Sequence, residues 1–148
     1  MEGPMIYRYV FRGEVASKKN SKVLARVKGR PMLLPSRKFQ EWEKRARLAI
    51  MAEGRPPVPL KAARLSMVIY HGDLIKRDSN NATQGVQDVL VDMGVIQDDN
   101  WMVIGSPDVI HAIDVEDPRL EVLVEPTDPT DYKAIFKAAR KAVRKACK

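Results

Sequence analysis

The sequence holds a single cysteine, Cys147, in 148 residues, so it can build neither an intrachain disulfide framework nor a multi-cysteine zinc site. A reducing cytoplasm is the compartment this implies. The only two histidines, His71 and His111, lie in separate strand-like runs without the spacing of a metal pair, and read as core or rim residues. No apolar run approaches the roughly 18–20 residues that span a bilayer. Met1 to Arg12 also lacks the basic start and long apolar middle of a signal peptide, so a soluble protein with no membrane partner is expected. Gly13, Gly29 and Gly94 form no phosphate-cradling loop and no Gly-x-x-x-x-Gly-Lys run occurs, which leaves no case for a nucleotide cofactor.

What is present fits one domain over residues 1–148, with a hydrophobic fraction of 45% to fill its core. Lys and Arg number 26 against 19 Asp and Glu, a net charge of +7 that suits a polyanion such as nucleic acid. The net value hides three blocks: residues 1–64 carry 16 basic and 5 acidic groups, 65–128 carry 3 and 13, and 129–148 carry 7 and 1. In a nucleic-acid enzyme the basic parts grip phosphates while clustered carboxylates hold a metal. Opposite blocks that attract one another, or solvate opposite faces, would give the same arithmetic.

Met5 to Val15 reads as a strand running into Gly13, and Lys22–Val27 with Pro31–Leu34 as a hairpin about Lys28-Gly29-Arg30. Phe39, Trp42, Ala46, Ala49 and Ile50 are spaced as one helix stripe, with Ser36 as N-cap and an end near Gly54. Arg55 to Pro59 is a stiff connection, after which Leu65, Met67 and Ile69 alternate as in a strand. Ala82, Val86, Val89, Leu90 and Met93 form a second stripe, with Gly94 placed as its C′ residue. Val109–Val115 and Leu120–Val124 are further strands. Asp128-Pro129-Thr130-Asp131 opens a basic helix at about 129–148, with Asp128 as cap. The coarse order βββαβαβββα indicates an α+β fold, a mixed β-sheet with helices packed on it.

Three groupings bear chemistry. Asp78, at a strand end before a helix, Asp88 on that helix and Asp98-Asp99 beyond it can converge on one point. Two or three such carboxylates suffice to set Mg2+ against a phosphate. The plain structural account is that Asp78 caps the helix and Asp98-Asp99-Asn100 is a solvated turn. The small, basic loop Ser17-Lys18-Lys19-Asn20-Ser21-Lys22 suits backbone phosphate contacts, as a solvated loop would too. The terminal helix, with Lys133, Lys137, Arg140, Lys141, Arg144, Lys145 and Lys148, has an apolar side for packing on the body or another subunit and a basic side for a duplex.

Taken in order, these pieces resemble the RusA family of Holliday-junction resolvases, over about Tyr7 to Leu123. The similar segments are Asp78-x-x-Asn81, the helix carrying Asp88 and Leu90, Gly94-Val95-Ile96-x-Asp98-Asp99-Asn100, the early basic loop, and Pro35-Ser36. The resemblance implies a homodimer that binds four-way DNA junctions and resolves them by paired, Mg2+-dependent nicks, Mn2+ substituting, in DNA recombination and repair. It implies catalytic roles for Asp78, Asp98 and Asp99. Asp78 and Asp99 would be metal ligands, with Asp88 supporting the metal site. DNA would be held by Lys18, Lys19, Asn20 and Lys22, and by Lys76 and Arg77. Asn80, Asn81 and Gln84 are supporting positions. Two of these depart from the family pattern: Asn80 stands for its second Asp and Gln84 for its lysine. An amide brings no charge to a metal, and losing the lysine removes a cation from the developing phosphate charge. The chain therefore reads either as a divergent nuclease or as a junction-binding protein that cuts weakly or not at all. A protein of the same scaffold that binds RNA or another protein is a third reading.

Overall fold

The computed structural model describes residues 5–16 and 22–147. Its elements are β1 (Tyr7–Arg12), β2 (Lys22–Val27), β3 (Arg30–Pro35), α1 (Arg37–Glu53), β4 (Ala63–His71), α2 (Ser79–Asp92), α3 (Trp101–Ile104), β5 (Asp108–Ile113), β6 (Arg119–Pro126) and α4 (Tyr132–Ala146). The fold is mixed α+β. A four-stranded sheet runs in the order β1-β6-β4-β5, and β2 and β3 pair as a separate hairpin. β4 is antiparallel to β6 but parallel to β5, which requires the long crossover that α2 and α3 supply.

Period-two alternation sets the sheet's inner face. Leu65, Met67 and Ile69 of β4, Leu120, Val122 and Val124 of β6, and Tyr9 and Phe11 of β1 are all buried. Against them lie Phe39, Trp42, Ala46 and Ile50 of α1 and Val86, Val89 and Leu90 of α2, each stripe at the spacing of one helical face. The opposite face stays open, with Ile110 and Leu123 exposed. α1 and α2 approach closely at Gly85, where an added Cβ would stand 3.2 Å from the Phe39 ring. The Tyr9 hydroxyl donates to the Gly54 carbonyl at 2.7 Å, tying β1 to the end of α1, and burial pushes its phenol up to about 12.

Ser36 caps α1 by accepting from the Phe39 N–H, as expected. Gly94 follows the end of α2 at φ 74°, a conformation that favours glycine. Beyond it the chain is stitched to the proline-rich connection: Leu60 N–H donates to Val95 O at 3.0 Å and Gln97 N–H to Leu60 O at 2.9 Å, while Arg55 Nη1 donates to Met93 O. Two strands, β5 and β6, rather than three lie between α2 and the terminal helix, and Ile96 forms an isolated bridge with Leu60. The terminal helix begins at Tyr132 rather than at Pro129. Its cap is Asp131, which accepts from the Ala134 N–H at 3.0 Å, and not Asp128.

No residue of α4 is buried. Ile135, Phe136 and Val143 are exposed, and Trp101 meets Tyr132 edge-on at its start. Among the described residues, no helix is long and apolar enough to cross a membrane.

Candidate active site

α2 positions the site. Asp78 ends the loop after β4 and caps the helix, its Oδ1 accepting from the N–H groups of Asn80 at 2.9 Å and Asn81 at 3.4 Å. These are donors that the first helical turn leaves without intrahelical partners. Asp78→Ala should therefore cost about 1 kcal/mol of stability, a loss of the ordinary N-cap size that urea unfolding would measure.

Farther along the helix, Gln84 and Asp88 are one turn apart. Gln84 Nε2 donates to Asp88 Oδ1 and to Asp99 Oδ2, both at 3.1 Å. The amide thus joins a carboxylate from the helix to one from the following loop. Asp98 is engaged in its own turn: Oδ1 accepts from the Asp99 N–H at 2.7 Å and Oδ2 from Asn100 Nδ2 at 3.1 Å. The backbone bond from Asp99, first among these contacts, holds the Asp98 carboxyl below its ordinary value. Asn100 in turn caps α3, accepting from the N–H groups of Met102 and Val103.

The expected metal residues do not all meet. Asp78 and Asp88 are ten residues apart along α2, about 15 Å at the helical rise, so one ion cannot take ligands from both. Among the described residues, no group of three or more His, Cys, Asp or Glu side chains is arranged to hold a metal ion. Asp88 and Asp99 are the two of these carboxylates that the structure brings together, each bonded to the Gln84 amide nitrogen. Mg2+ commonly takes only one or two carboxylates, completing its shell with water and phosphate oxygens.

The expected DNA contacts divide. Arg77 is held by Asp73, with Nη1 to Oδ1 at 2.6 Å and Nη2 to Oδ2 at 2.9 Å, and this bidentate bond keeps the Asp73 carboxyl far below its usual range. Lys76 is exposed and lines an open cavity of about 320 Å³ with Leu74, Ile75 and Ile113. Lys22 opens β2, whereas Lys18, Lys19 and Asn20 lie outside the described residues. Asn80 is exposed and Asn81 half-buried in the first turn of α2.

A second polar cluster has no counterpart in the motif reading: Glu14, His71, His111 and Ser79 meet at the start of α2. His71 continues the inward alternation of Leu65, Met67 and Ile69. His111 pairs with Ile69 in register, on the same face. The sequence carries the alternation, but the parallel pairing that makes the histidines neighbours is a long-range contact.

The chain matches no protein-family model and no curated protein. The likeness to RusA-type resolvases therefore rests on the motif residues themselves.

Proposed function

We propose that this protein is a Mg2+-dependent endonuclease of branched DNA, acting as a homodimer that nicks four-way junctions in recombination and repair. The observation that carries this reading is the convergence of Asp99 and Asp88 on one nitrogen of Gln84, along the helix that Asp78 caps. Asp88 and Asp99 would hold the ion, which when bound would neutralise phosphate charge and favour attack by water. Lys76, the basic loop at 18–22 and the lysines and arginines of α4 would hold the backbone on either side without reading its sequence. Two subunits would supply the paired cuts that junction resolution requires.

A second reading is a junction-binding protein that cuts weakly or not at all. It is favoured by the same amide, because a neutral donor already bonds one oxygen of each carboxylate where the family pattern has a lysine.

An end-labelled four-way junction and a linear duplex of the same sequence separate the two readings, at one stated salt concentration because phosphate contacts make affinity salt-dependent. Nicks confined to the junction and seen only with Mg2+ or Mn2+ are expected. Tight binding without nicks in excess metal would select the second reading. No preference for the junction over the duplex would sink both.

A further inference from the structure

We infer that His111 is the general base of the proposed cleavage, taking a proton through Ser79 and backed by His71 and Glu14. The inference rests on the nuclease reading above and deepens it. Four residues contribute. Ser79 Oγ, on the first residue of α2, lies 2.9 Å from His111 Nε2, and His111 Nδ1 lies 2.9 Å from His71 Nε2. His71 Nδ1 faces Glu14 Oε2 at 3.6 Å, while Glu14 Oε1 accepts from the Gly72 N–H at 2.5 Å. The imidazole planes differ by 8° and their centroids are 5.1 Å apart, the arrangement of two rings joined edge to edge in one plane.

The polarity of the chain follows from its end. Among the described residues, His71 Nδ1 and Glu14 Oε2 are buried without a hydrogen-bond partner and face each other at 3.6 Å. A proton on His71 Nδ1 is the tautomer that turns a donor toward the buried carboxylate oxygen, and it presents Nε2 as an acceptor. His111 then donates from Nδ1 and keeps Nε2 as the acceptor for the Ser79 hydroxyl. A base held in one tautomer by a second group, itself held by a carboxylate, is the arrangement that activates an O–H bond for proton removal. The charged groups around the pair are Glu14, Arg77 at 3.8 Å from it, Asp73 paired to Arg77, and Lys76 across the cavity.

Ser79 precedes Gln84 by five residues, about 7.5 Å along α2, which leaves room for a phosphate between the base and the Asp88–Asp99 pair. In the step, a water proton passes to Ser79 Oγ as the serine's own proton passes to His111 Nε2. The water oxygen bonds to phosphorus, the P–O ester bond breaks, and the leaving oxygen takes a proton from solvent. The imidazolium returns its proton to solvent. One phosphodiester and one water thus yield a phosphate monoester end and a hydroxyl end.

The test compares wild type with His111→Ala on the junction with Mg2+, with and without added imidazole. A loss of about 10²–10⁴-fold in nicking is expected, the usual worth of a general base, with unchanged junction affinity and thermal midpoint. Imidazole should restore at least about tenfold, because a free base can occupy the space the side chain leaves. His111→Gln, which keeps hydrogen-bonding groups, should be as slow. Equal rates in mutant and wild type, or a loss that imidazole does not relieve, would overturn the role of His111 alone. Absence of nicking by wild type would overturn the nuclease reading and this step together.

Discussion

Asp99→Asn is expected to reduce junction nicking by at least about 10³-fold while leaving junction affinity within about twofold, the pattern of a group that acts in the transition state rather than in binding. Asparagine has nearly the same shape, so the Gln84 bond to this position is replaced by another amide contact and the turn survives. The charge that would attract a cation is what disappears, and one oxygen of an amide is a poor substitute for a carboxylate in a shell of hard ligands. Removing an anion near DNA does not weaken backbone contacts. Single-turnover nicking and a binding titration at the same salt read the two effects separately. A variant that cuts as fast as wild type removes Asp99 from the mechanism.

Trp42→Ala is expected to cost about 3–5 kcal/mol, a large part of the roughly 5–15 kcal/mol that holds a typical domain together. Trp42 is fully buried on α1, edge-on to Phe11 with centroids 6.0 Å apart and tilted against Phe39 at 5.9 Å. It also lies beside Gly85, so truncation opens a void where both helices meet the sheet. At this chain length the thermal midpoint should fall by about 6–20 °C. Trp42→Phe separates packing from hydrogen bonding. Among the described residues the buried indole N–H has no acceptor, so its removal also takes away an unmet polar group and the loss should be much smaller. Equal midpoints for Trp42→Ala and wild type would show that this cluster does not carry the core.

The two long helices were legible because their apolar spacing and their ends agree: Ser36 opens one and Gly94 closes the other. Strand segments were legible from alternation, but their order in the sheet was not, since β1 pairs with β6 across most of the chain. α3 is four residues long, too short for any period, and its cap Asn100 reads equally well as a turn residue. The helix start at Asp131 was missed because Asp128 offers the same chemistry three residues earlier. Only the reach of the Ala134 N–H distinguishes them. In the site, the spacing identified Asp78, Asp88 and Asp99 as worth attention. It did not show that Gln84 binds two of them or that Asp73 holds Arg77, because those bonds depend on where loops and helix faces meet.

The two bonds between Leu60 and the Val95–Gln97 stretch place the loop leading to Asp99 under the control of a segment with no chemistry of its own. Prolines 56, 57 and 59 immediately precede that segment, and each fixes a backbone torsion. Much of the conformational entropy of this loop is therefore surrendered when the chain folds, not when a ligand arrives. Asp99 is preorganised, and in the proposed role affinity at its carboxylate would be set in part by the rigidity of a connector on the far side of the sequence from the motif.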